Sequence, residues 1–204
     1  FWNNARDDSG FYFWGQRLNR TELIDRAKRI VNLSMSAPRN EQGLFATLYI
    51  AKTKTWALQF SDPPHGKNEF FLRSSDSYEV SAMSKTAAHL IDYYLRCDKD
   101  QRIIDYFTPY ADWLLTAINE RGAVPSYVTT EMESSPILLY SAQPASSMWF
   151  LAAFYNATKI DKYRDGAKKI ASFLEHDILP EQKWVDMEQY YSCGKKPAEF
   201  ERDQ

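Results

Sequence analysis

Apolar side chains recur along this chain at the spacing of one helical face, in five stretches separated by polar turns. Leu23, Ile24, Ala27, Ile30 and Val31 trace a 3.6-residue stripe that ends before Pro38, with Thr21 placed to cap its start. A second stripe, Ala82, Ala87, Leu90, Ile91 and Tyr94, runs from near Glu79 to about Arg96, and its first turns are rich in small residues suited to close packing. A third covers about Asp100 to Asn119, with Ile103, Ile104, Phe107, Tyr110, Ala111 and Leu114 inward. The fourth starts after Pro144 and is apolar on almost every side; the fifth runs from about Asp161 to Asp177 and stops before Pro180. Helices that are apolar all round are buried, whereas those with a charged face lie outside. The pattern therefore predicts inner helices near 81–96 and 145–157, and outer ones at 22–36, 101–119 and 162–177.

The stretches also repeat one another. Ala27-Lys28-Arg29-Ile30-Val31-Asn32-Leu33 is echoed by Ala167-Lys168-Lys169-Ile170-Ala171-Ser172-Phe173, and more loosely by Tyr110-Ala111-Asp112-Trp113-Leu114. Fourteen residues after Ile30, Tyr110 and Ile170 come Leu44-Phe45, Val124-Pro125 and Trp184-Val185. The last two copies are roughly 60 residues apart, the length of a helix pair plus a long loop. Inner helices pass to outer ones through short turns, Cys97–Asp100 and Thr158–Asp161, while the returns are long: 39–78, 120–143 and from Leu179 onward. All long loops therefore gather at the N-terminal ends of the inner helices. The expectation is one all-α domain over 1–204, an array of helical hairpins with its function at the loop end, because loops beyond about 12–15 residues are usually functional.

Composition narrows the partners. With 25 basic and 27 acidic side chains the chain is nearly neutral, so neither nucleic acid nor an acidic membrane surface is expected as a partner. No apolar run approaches the ~20 residues of a membrane span, and the opening Phe1-Trp2-Asn3-Asn4 lacks a basic segment followed by an apolar one, so no signal peptide is expected from it. Cys97 and Cys193 are too few for a disulfide framework and wrongly spaced for zinc, and the 7 glycines form no phosphate loop, so no metal or cofactor is expected. The aromatic share, 15%, is high, and many rings fall in the long loops, where they can stack on flat ligand faces.

The segments from Ser84 to Tyr94, Asp100 to Leu114, Gly122-Ala123-Val124-Pro125 and Gln143 to Leu151, closed by Lys183 to Cys193, resemble the six-hairpin, (α/α)-toroid glycosidase superfamily. That resemblance implies part or all of an (α/α) toroid and a carbohydrate substrate held in a funnel at the loop end. Hydrolysis is the expected chemistry; polysaccharide lysis, or glycan or protein binding without catalysis, are the alternatives. A full ring at this period takes six hairpins, about 360 residues, and the chain supplies little more than three. Together with the polar stretch from Gly194, this leads us to expect a fragment of a longer ring.

Glycoside hydrolysis needs two carboxyl groups about 5–9.5 Å apart. The candidates among the acids of the long loops are Asp62, Glu69, Asp76, Glu79, Glu131, Glu133, Asp186 and Glu188. Asp186 and Glu188 sit among Trp184, Tyr190 and Tyr191, rings that would shield a carboxyl and suit it to act as an acid. One of them is expected to work with Asp76 or Glu131 from another loop. Trp184, Tyr190, Tyr191, Tyr78 and Tyr127 are the expected sugar-stacking rings. His65 reads as a turn residue and His89 as a hydrogen-bonded core side chain.

Overall fold

The computed structural model describes residues 5–58, 77–134 and 144–180, together with the backbone of 183–185 and 199–201. It is mostly helical, with three small antiparallel strand pairs among the described residues, as the all-α expectation requires. Among the described residues there are six α-helices: α1 (Arg6–Arg17), α2 (Thr21–Met35), α3 (Val80–Arg96), α4 (Gln101–Ala117), α5 (Pro144–Thr158) and α6 (Asp161–Phe173), the last running on through one π-helical turn, Leu174–Ile178. None of them is long and apolar enough to cross a membrane.

The helices pair as α1–α2, α3–α4 and α5–α6, and α3 packs against both α1 and α5. α3 buries residues on nearly every side, with Met83, Ala87, Leu90 and Ile91 fully enclosed. Each fully buried large apolar side chain contributes roughly 1.5–3 kcal/mol. α4 turns Ile103, Ile104, Phe107, Tyr110, Ala111 and Leu114 into the core, the face anticipated from its stripe. Its start is fixed by Asp100, whose carboxylate accepts from the Arg102 amide and from the Arg102 guanidinium. α2 differs from expectation at its start: Arg20, not Thr21, takes the cap position, and no side chain bonds there. α1 had no counterpart in the pattern reading, because Phe11-Tyr12-Phe13-Trp14 is a continuous aromatic run without a 3.6-residue period.

Successive hairpins meet by one rule. Position 12 of each outer helix accepts from a cation at position 2 of the next: Arg102 Nη2 reaches Asn32 Oδ1 at 3.1 Å, and Lys162 Nζ reaches Asp112 Oδ1 at 2.7 Å. Position 15 lies over position 6 of the next helix, Met35 beside Tyr106 and Leu115 against Gly166.

The loops obey the rule too. Asn40-Glu41-Gln42-Gly43 and Asn119-Glu120-Arg121-Gly122 form the same turn, the Asn side chain accepting from the amide four residues on, Leu44 at 2.8 Å and Ala123 at 2.9 Å. Both glycines hold a left-handed backbone, φ 86° and 93°, which L side chains reach only with strain. Each turn docks on the outer helix of the following hairpin, Gly43 on Pro109 and Tyr110 and Gly122 on Lys169 and Phe173, where a Cβ would collide. The repeat visible in the sequence is thus a repeat of contacts.

Candidate functional site

Strand β3 (Ser77–Glu79) leads directly into α3 and pairs antiparallel with β4 (Tyr127–Thr129), which belongs to the connection between α4 and α5. The pairing sets Glu79 opposite Tyr127, and the Val80 amide adds a bond to the Ser126 carbonyl at 3.0 Å. Two long connections therefore meet at the N-terminal end of α3, as the alternation of short and long links anticipated.

This end of the molecule is polar inside. Ser77, Glu79, Ser81, Ser126, Ser146 and Ser147 are all buried. Glu79 is 7% exposed and accepts from the Ser81 hydroxyl at 3.3 Å. One turn further down α3, Ser84 lies 2.7 Å from the Tyr110 hydroxyl and 3.0 Å from Ser147, and Tyr110 also donates to the Val80 carbonyl. Burial drives the Tyr110 phenol well above its ordinary range, so it remains a neutral donor that ties α3, α4 and α5 together. Small residues on α3 that read as packing aids thus also carry a buried hydrogen-bond network. Only their hydroxyls distinguish them from alanines, and a period-based reading gives that no weight.

The expected site residues fall in three groups. Asp76, Glu188, Tyr190, Tyr191 and Asp186 lie outside the described residues. Trp184 falls in strand β5 (Lys183–Val185), paired with β6 (Glu199–Glu201), with only its backbone described. The rest are in view. Glu131 stands exposed in the turn after β4, where the Thr130 hydroxyl donates to it at 2.9 Å and holds its carboxyl below the usual range. That setting favours the charged form and lacks the shielding a general acid requires. Tyr127 is 1% exposed; the structure corrects its assignment as a sugar-stacking ring, since a core ring presents no open face. Tyr78 is half-buried, with its phenol pushed up by burial, and points to the opposite face of the strand from Glu79.

A ring pair that the site reading did not select lies on the first long connection. Tyr49 in β1 (Leu48–Ile50) and Trp56 in β2 (Thr55–Ala57) face each other across the hairpin at 5.2 Å between centroids, both half-buried. Their cross-strand register brings them together, which sequence spacing alone did not show. His89 is half-buried on α3 with its ring edge-on to Trp149, and burial lowers its pKa.

Set beside known proteins, the chain matches no protein-family model, and no curated protein matches it in sequence.

Proposed function

We propose that this chain acts on carbohydrates as a glycoside hydrolase, its hairpins forming an arc of an (α/α) toroid and its substrate entering at the loop end. The observation that supports this is a carboxylate, Glu79, buried at the N-terminal end of an inner helix where two long connections meet. A carboxyl at that junction lies where a substrate entering at the loop end would meet it.

In this reading Glu79 is the carboxyl that exchanges a proton with the glycosidic oxygen, fixed in place by the Ser81 hydroxyl. The second carboxyl comes from another long loop, with Asp186, Glu188 and Asp76 as its candidates. Tyr78, and the Tyr49–Trp56 pair of the first connection, provide apolar faces with polar tips of the kind that pack against sugar rings.

A panel of oligo- and polysaccharides assayed for new reducing ends tests the proposal. Activity on at least one glycan is expected, and Glu79→Gln should reduce it by about 100-fold or more, the low end of what acid–base catalysis contributes. Products absorbing in the ultraviolet without new hydrolytic ends would indicate lysis instead. Glycans bound but never cut would make the chain a binding module.

A further inference from the structure

The same contact rule governs both seams between outer helices, yet the two seams are filled differently. Between α4 and α6, Leu115 packs over Gly166 so closely that a Cβ there would collide with it. The Tyr163 hydroxyl donates to Asp112 at 2.7 Å, beside the Lys162–Asp112 ion pair. Between α2 and α4 other residues hold the equivalent places: Tyr106 stands for Gly166, Ile103 for Tyr163 and the neutral Asn32 for Asp112. A phenol ring in place of a glycine leaves no slot for Met35 to enter as Leu115 does, and an isoleucine offers the seam no hydroxyl. This seam therefore keeps a cavity of about 110 Å³, floored by Val31 and Tyr93 and walled by charged side chains. Both walls belong to hairpins of this chain.

The charges around the cavity cancel. Lys28 Nζ faces Asp98 Oδ2 at 3.7 Å, too far for a hydrogen bond, and Arg102 clasps Asp100 through Nε and Nη2. Hydrogen bonding from Arg102, with Lys28 adding its charge, holds the Asp100 carboxyl below its usual range, so it stays an acceptor at neutral pH. A free anion would meet two carboxylates here, and a free cation would meet an ammonium and a guanidinium. A hydroxyl suits the gap better, because it can donate to Asp98 while accepting from Lys28. Asn32 uses its Oδ1 on Arg102, which leaves its Nδ2 to donate. The Tyr93 hydroxyl is buried without a partner among the described residues, and burial keeps it protonated. Adjacent donors and acceptors with no net charge match a polyol.

We propose that the seam between α2 and α4 binds a neutral sugar residue, its hydroxyls set between Lys28 and Asp98 and against Asn32. The cavity shares Asn32 and Arg102 with a shallower groove of about 460 Å³ that runs past Met35 and Ser36, where the rest of a glycan would lie. That groove falls within the roughly 300–1,000 Å³ of small-molecule sites. Asp98 and Asp100 belong to the short turn between α3 and α4, so this site lies away from the loop end that holds Glu79. The ligand class is read from the seam alone, whether or not the loop end cleaves a glycan.

Amide NMR of the purified chain tests this, with titrations of neutral tetrasaccharides of glucose, mannose, galactose and xylose, and of uronate oligosaccharides for comparison. At least one neutral sugar should shift the amides of residues 28–36 and 98–106 saturably, with an affinity insensitive to salt. Neither Lys28 nor Asp98 is buried, so Lys28→Ala and Asp98→Ala should keep the circular dichroism spectrum. Each should weaken the binding by about 10-fold or more. The proposal is overturned if no neutral sugar shifts these amides, if only uronates bind and salt abolishes it, or if both variants bind like the parent. Shifts confined to residues 77–81 and 126–129 would also overturn it while leaving the glycosidase proposal standing. Saturable shifts at the seam without any glycan turnover would have the opposite effect on the two.

Discussion

Asp8 departs far from the usual chemistry of its type. It is wholly buried in the first turn of α1, and one of its oxygens has no partner there among the described residues, although Ser9 donates to the other through its amide and hydroxyl. Desolvation is the main cause that raises its pKa from 3.8 to about 7, and the neighbouring Asp7 and Asp92 push the same way. In the unfolded chain Asp8 ionises near its ordinary value, so between that value and about 7 the folded state holds a proton that the unfolded state has lost. Stability is therefore greatest at the acid end of this window and declines as pH rises through it, by roughly 4 kcal/mol at ~1.4 kcal/mol per unit. Denaturant titrations at pH 5 and pH 8 check this: Asp8→Asn should flatten the difference and be the more stable protein at pH 8. At Ser84 the concern is a lost partner. Ser84→Ala leaves the Tyr110 hydroxyl with one bond fewer in a closed interior, an expected loss of about 1–3 kcal/mol measured by chemical unfolding.

At the scale of elements, the two Asn-x-x-Gly turns are the joints of the array. Gly43→Ala and Gly122→Ala each force a Cβ into a left-handed backbone and into a helix of the next hairpin. Either should cost more than ~1 kcal/mol, read as a lower urea midpoint with an unchanged slope; a neutral Gly43→Ala would mean the turn does not bear on α4. These elements also show what a pattern can deliver. α2 to α6 were legible because their apolar stripes meet a core on one side, and the fourteen-residue echo located the turns before any contact was known. α1 was not legible, because four consecutive aromatics present no face until Gly15 lets Ile24 approach, leaving Phe11 and Tyr12 half-buried and Phe13 and Trp14 exposed. The short strands escaped for the related reason that three-residue pairs such as Ser77–Glu79 with Tyr127–Thr129 are defined by their partner, not by their own period.

For the molecule as a whole, the candidate site was half legible. The alternation of short and long links pointed to the end where the long connections meet, yet choosing among its acids required burial, which among the described residues separates Glu79, enclosed, from Glu131 and Glu133, in water. If the carbohydrate proposal holds, Glu79→Gln should cut turnover by about 100-fold or more while leaving the melting temperature within a few degrees of the parent. A large drop in both would instead make Glu79 a structural cap on α3. The forward docking of the turns has one more consequence, for the order in which the chain is made. Residues 40–43 rest on Tyr110, and residues 119–122 rest on Lys169, so each turn waits some fifty to seventy residues for the surface that holds it. On a ribosome, the turns after the first two hairpins could seat only once the next outer helix has left the exit tunnel, so each would settle one hairpin behind the point of synthesis.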